Sequence, residues 1–219
     1  MARPVKKAPE EWRKEILDAA KNLFISKGYE KTSISDIMDM VGGAKGMFYR
    51  CFQSKEEVMH ALGNQMFFEN NPFDAVKERS DLNGLQKIRA LLALNQSDAE
   101  RNQINMQAIP ILKDPYILAA AIGENRRVLT PLWLELLEEG KKDGSIRTEY
   151  TKELSELLPL INFWLLPSVF SATEEELHHK YRFVIEALAH MGLPLFDDDA
   201  VSFTEKFITD IMEKGENEP

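Results

Sequence analysis

The sequence predicts an all-α fold in which a three-helix helix-turn-helix domain, residues 1–62, precedes a larger helical domain, residues 63–219. Three observations predict it. Apolar residues recur at three- and four-residue spacing along almost the whole chain, and no β-branched run with period two occurs. Helix-start signatures, Ser/Thr-x-x-Glu at Ser54, Ser97 and Thr173 and Asp-Pro at Asp114, punctuate the sequence. Glycines at 28 and at 42 and 43 cut the first fifty residues into one long and two short helical segments.

The first helix opens at Pro9-Glu10-Glu11, buries Ile16, Leu17, Ala20, Leu23 and Phe24, and stops at Lys27-Gly28. The second starts at Ser33 to Asp36 and presents Ile34, Ile37, Met38 and Val41 before Gly42-Gly43. A short third helix carries Lys45 to Phe52, with Phe48 and Phe52 inward. Ser54 with Glu57 caps a fourth, expected to reach about Glu69 before Pro72. Further helices are expected near 81–96, 98–113, 115–139, 151–170, 174–191 and 200–214.

Composition bounds the function. A single cysteine, Cys51, excludes an internal disulfide and fits a reducing cytosol. The oily run from Leu157 to Phe170 is interrupted by Pro159, Asn162, Pro167 and Ser168 and is too short to span a bilayer. A cytoplasmic protein without membrane attachment is expected. The net charge of -9 is unevenly spread: residues 1–56 hold 11 Lys and Arg against 8 Asp and Glu, so the acidic excess lies beyond them. A basic head on an acidic body can hold nucleic acid at one end while the rest repels it. His60, His178, His179 and His190 have no Cys or Asp partner at ligand or triad spacing, and no phosphate-cradling glycine loop occurs. No catalytic centre, metal or cofactor is expected.

Two short helices joined by a glycine turn and braced by a longer one let a recognition helix project from a small core. Thr32 and Ser33, at a helix start, suit a helix cap or a backbone phosphate, and Tyr49 suits a half-buried aromatic or a phosphate donor. Lys55 adds a charge at the next helix start. Gly43, Ala44, Lys45, Gly46, Met47 and Arg50 occupy the stretch that would face base edges, with Lys45 or Arg50 able to donate to guanine. Ile16-Leu17-x-Ala19-Ala20, Leu23-Phe24, Lys27-Gly28-Tyr29, Thr32-Ser33, Ile37, Lys45-Gly46, Phe48-Tyr49, Phe52 and Ser54-Lys55-Glu56 occur together. On these residues the stretch from Arg13 to Leu62 resembles the DNA-binding domain of the tetracycline-repressor (TetR) family of bacterial regulators. The resemblance implies a homodimer on a double-stranded, palindromic operator, released by a small-molecule effector. One departure stands out: Gly43-Ala44 replaces the Val-Ser that these proteins often carry before Lys-Gly.

In the larger domain, the helix at 151–170 is apolar around most of its circumference. Leu177, Tyr181, Val184, Leu188 and Met191 form a stripe on the next helix, with Phe183, Ala187 and His190 on a second face. The first stripe is assigned to dimerisation through a four-helix bundle; internal packing within a monomer is the alternative. Amides at Asn95, Gln96, Gln103, Asn105, Gln107 and Asn162 lie among aromatics, and Asn105, Trp133, Asn162, Phe163 and Trp164 are the candidate lining of a pocket for a mostly apolar effector. A ligand-blind DNA-binding dimer and a helical protein-interaction module are the competing functions.

Overall fold

The computed structural model of the chain describes residues 8–196. Its helices are α1 (Pro9–Lys27), α2 (Ile34–Val41), α3 (Lys45–Cys51), α4 (Lys55–Glu69), α5 (Pro72–Lys77), α6 (Gly84–Ser97), α7 (Ala99–Ala108), α8 (Pro115–Asp143), α9 (Thr151–Leu165) and α10 (Glu174–His190). A 3-10 turn covers Pro110–Lys113. No strand occurs among the described residues, and no described helix is long and apolar enough to cross a membrane. The helix expected at 200–214 lies outside the described residues.

The helices gather into two compact units. One holds the described residues through Asn71 together with Asp98–Ile111; the other holds Pro72–Ser97 and the described residues from Leu112 onward. The first unit thus contains α1 to α4 and also α7, which comes from beyond the helix-turn-helix in sequence.

In the first unit, α1 carries Pro9 at its first position and acids in its first turn, both suited to unpaired N–H groups. Ile16, Ala20 and Phe24 of α1, Ile37 of α2, Phe48 of α3, Val58 and Leu62 of α4 and Ile104 of α7 close one core. Each of these side chains larger than Ala20 contributes about 1.5–3 kcal/mol on burial. Ser33 caps α2 reciprocally: its hydroxyl accepts from the Asp36 N–H while the Asp36 carboxylate accepts from the Ser33 N–H.

In the second unit, α6 crosses α8 at two glycines; a methyl group on Gly84 would lie 2.3 Å from the Gly140 backbone. Lys87, 5% exposed, is held by Glu139 at 2.6 Å and by the Lys77 carbonyl. Phe73 of α5 meets Trp133 of α8 edge-on, with centroids 5.4 Å apart. α8 turns at Gly144, in the left-handed conformation, and returns as α9, against which α10 packs through Leu165 and Leu177.

Several expectations are corrected here. α4 ends at Glu69 as expected, and a short helix that was not expected, α5, starts at Pro72, because proline suits the first position of a helix. Asp98, not Ser97, caps α7; the Ser97 hydroxyl donates to the Leu94 carbonyl at the end of α6. α9 ends at Leu165 instead of running to 170, since Pro167 disfavours helix at the residue before it. Of the expected dimerisation stripe, Leu177, Val184 and Leu188 are buried within the single chain, and Tyr181 and Met191 are half-buried. On α9 and α10 the apolar side chains facing outward are Leu157, Leu160 and Phe183, the last 62% exposed. They border an open apolar groove whose lining also includes Trp164 and, from the expected stripe, Val184, Leu188 and Met191.

Candidate nucleic-acid interface

The α2–α3 turn is made by Gly42 in the left-handed conformation (φ 75°, ψ 31°), which a side chain would strain. α3 begins at Ala44, which offers no capping side chain. Phe48 and the following Phe52 point into the core, 0% and 1% exposed. Away from it Lys45, Gly46, Tyr49 and Arg50 are exposed, in two adjoining rows, 45 with 49 and 46 with 50, since residues four apart lie one above the other on a helix. Met47 is half-buried, with its Sδ 4.0 Å from an Arg50 nitrogen. An exposed strip with two cations and a phenol on a short projecting helix has the chemistry to meet phosphates and base edges.

Not every expected contact residue joins that strip. Thr32 is 1% exposed and donates its hydroxyl to the Gly28 carbonyl at 2.7 Å, so its side chain closes the α1–α2 turn instead of facing a phosphate. Ser33 is exposed, but its hydroxyl is engaged with Asp36 at 2.8 Å. Lys27 binds the same carboxylate at 2.7 Å and, with Ser33, holds the Asp36 carboxyl well below the usual carboxylate range. This cap is therefore present above the ordinary aspartate value and is lost only as pH falls through the depressed one. A side chain at Gly43 would point at Trp12 and Met38, so Gly43 leaves the base-reading set.

Lys55 turns back onto the protein. Its Nζ donates to the Tyr29 carbonyl at 2.8 Å and the Thr32 carbonyl at 3.0 Å and lies 4.0 Å from the Tyr29 ring centroid. Lys55→Ala should therefore destabilise the fold by about 1–2 kcal/mol through the loss of these two bonds from a charged donor. Thermal unfolding checks this; a phosphate ligand alone would leave the melting temperature unchanged.

Tyr29, 4% exposed, ties the turn to two other helices. Its hydroxyl donates to Glu56 at 3.0 Å, and burial followed by the Glu56 charge pushes the phenol pKa up. Its N–H donates to Gln107 Oε1 at 2.6 Å, and Gln107 Nε2 donates to the Phe24 carbonyl at 2.9 Å. Gln103 adds a bond to the Ile25 carbonyl, Glu100 pairs with Lys21, and Arg101 donates to the Met66 and Asn70 carbonyls at the end of α4. α7 is thus clasped to α1 and α4 by amides and charges whose sequence signal was only a cluster of polar residues.

The five candidate effector contacts fall in both units, Asn105 in the first and the other four in the second. Asn105 is exposed on α7 in the first unit, whereas Trp133 is buried in the second unit against Phe73. Asn162 is exposed on α9; Phe163 is half-buried, and Trp164 faces α10, where its ring meets Phe183 at 5.9 Å.

Residues 16–62 match the family model described as bacterial regulatory proteins, tetR family. The HTH-type transcriptional repressor KstR2 of Rhodococcus jostii (strain RHA1) is 29% identical over 153 residues, 65% of this chain and 72% of the relative. The HTH-type dhaKLM operon transcriptional activator DhaS of Lactococcus lactis subsp. lactis (strain IL1403) is 34% identical over 100 residues, 46% of this chain and 49% of the relative. Among solved structures, Thermus thermophilus FadR, a TetR-family transcriptional repressor in complex with lauroyl-CoA, is similar with a TM-score of 0.59 at 21% identity. That likeness covers 80% of this chain and 94% of the other, and it carries the fold alone.

Proposed function

We propose that this chain is a regulatory protein of the bacterial tetR family, whose model its residues 16–62 match, and that it is a cytoplasmic, non-enzymatic transcriptional repressor that binds a palindromic operator as a homodimer and leaves it when a small molecule binds. The observation that carries the DNA-binding reading is the exposed strip of Lys45, Gly46, Tyr49 and Arg50 opposite the buried Phe48. α3 enters the major groove, Lys45 and Arg50 reach base edges, Gly46 and Ala44 allow close approach, and Tyr49 meets the backbone. Operator binding belongs to residues 1–62; sensing and dimerisation belong to 63–219. Repression is preferred over activation because the relative aligned over the larger share of its length is named a repressor.

The effector reading rests on α8. Its first eighteen residues include Ile117, Leu118, Ile122, Val128, Leu129 and Leu132, yet every one of these is only half-buried, and full burial begins at Trp133. Nearby, the Thr130 hydroxyl is buried with no hydrogen-bond partner among the described residues. An apolar stretch left half-buried, with a hydroxyl to orient a guest, suits a mostly apolar effector.

Selection of bound duplexes from a randomised pool tests the operator reading. The wild type should enrich a palindrome with half-sites about one helical turn or a multiple apart. Arg50→Ala should cost about 1–3 kcal/mol on that sequence and relax preference at one position in each half-site. A pool that emerges unenriched would reject sequence-specific binding. Titrating apolar compounds into the protein–operator complex while following anisotropy of labelled DNA tests release; compounds that bind without changing operator affinity would favour the ligand-blind reading.

A further inference from the structure

We propose that Trp12 and Arg13, on α1 and outside the recognition helix, fix the pose of α3 and so decide which bases its exposed side chains reach, and that glycine at 43 is the notch that admits the Trp12 indole. This rests on the DNA-binding reading above. α3 has seven residues and no side-chain cap at its start. A helix that short does not hold itself in water, so its pose comes from what grips it.

Two grips lie at its two ends. At the start, a Cβ built on Gly43 would fall 2.7 Å from Trp12 Cζ3, 3.0 Å from Trp12 Cη2 and 2.7 Å from Met38 Cε. Gly43 is not among the glycines with positive φ, so its backbone would accept other residues and the requirement for glycine is one of space. Met38 Cε ends a flexible side chain and can give way, whereas the Trp12 indole moves only as one rigid ring, so the ring is the obstacle to a side chain at 43. The Gly43 N–H also donates to the Met38 carbonyl at 2.9 Å, holding the turn against α2. At the far end, Arg13 Nη1 donates to the Cys51 carbonyl at 2.8 Å, and its guanidinium lies 4.1 Å from the centroid of the Phe52 ring.

The pair accounts for the departure at Gly43: the space a larger side chain would take is occupied by the Trp12 ring. It also gives Trp12 leverage over specificity. α3 spans about 10 Å, so a tilt of about 10° about its centre moves either end by about 1 Å. Side chains extend that displacement outward, and a change of that size is enough to break a hydrogen bond to a base edge.

The test uses the full chain as wild type, Trp12→Ala, Gly43→Val and the double variant. Thermal unfolding and circular dichroism report packing; selection from a randomised duplex pool at one salt concentration reports base preference. Gly43→Val alone should lower Tm by about 5 °C or more, as overpacking does, and weaken operator binding at least about tenfold. The double variant should regain Tm relative to Gly43→Val, because the valine occupies the space the indole leaves, and should enrich an operator altered at the bases beneath the start of α3. A purely structural Trp12 would instead weaken all sequences equally. A double variant that folds and enriches the wild-type operator, or a Gly43→Val protein as stable as the wild type, would overturn the proposal. A wild type that enriches nothing would overturn the DNA-binding reading and the specificity claim with it, while the Tm comparison would still report on the packing of Trp12 against Gly43.

Discussion

Phe183→Glu should yield a folded monomer whose operator affinity is about 10²- to 10⁴-fold below that of the wild type. Phe183 is 62% exposed on α10 and stands beside Leu157 and Leu160, 43% and 38% exposed on α9. An apolar groove borders them, and a second copy of the same face would cover all three. A carboxylate in that seam loses its water without gaining a partner, at a cost of several kcal/mol. In the single chain it faces solvent and costs little. DNA affinity follows because two linked half-site contacts bind far better than one, and splitting the dimer forfeits the effective concentration of the second. Leu188→Glu makes the contrast: Leu188 is 2% exposed inside the chain, so a charge there should cost helicity before it costs assembly. Sedimentation velocity at micromolar concentration with circular dichroism separates the two. A dimeric Phe183→Glu protein, or a monomeric wild type, would remove this face from the interface.

The α10 result marks what a sequence can and cannot say. Helical spacing resolves two apolar stripes on that helix, one through Leu177 and Leu188 and one through Phe183 and Ala187. Which stripe meets α9 of the same chain depends on the rotation of the helix in the bundle, and periodicity is blind to it. The head was more legible, because its spacing is set by local chemistry. Pro9, Ser33, Gly42 and Ser54 act at helix ends, where one residue decides the geometry. Thr32 and Lys55 have residue types that suit phosphate, yet their partners are backbone carbonyls of the α1–α2 region, four residues away for Thr32 and up to 26 for Lys55. The amides were the least legible. Gln107 belongs to a polar cluster that suggests a pocket, but its bonds run to Tyr29 and Phe24, 78 and 83 residues away. Trp12 gave no signal either, since the meaning of Gly43 is clear only once the indole stands against it.

Gln107→Leu should destabilise the first unit by about 1–3 kcal/mol and blunt any effector response. The substitution keeps an apolar stem but removes an acceptor from the Tyr29 N–H and a donor from the Phe24 carbonyl. Leaving a buried backbone group unsatisfied costs about 1–3 kcal/mol; the Tyr29 N–H would be left so, whereas the Phe24 carbonyl keeps the Gly28 N–H at 3.1 Å. Tyr29 is 4% exposed, so water has poor access to restore its bond. The functional consequence follows from chain order. α7 lies between α6 and α8 in sequence, both assigned to sensing, yet it folds with the helix-turn-helix. Its grip on the end of α1 is where strain carried along the chain would meet the turn that positions α2 and α3. Gln107→Glu refines the test, because the carboxylate can still accept from the Tyr29 N–H but cannot donate to the Phe24 carbonyl. It should retain part of the lost stability, and it should gain more as acid protonates the new carboxyl and restores a donor. Chemical denaturation across pH, paired with operator titrations in the presence and absence of an effector, reads both arms. A Gln107→Leu protein with wild-type stability and an undiminished effector response would show that α7 merely rests on α1 and transmits nothing through this amide.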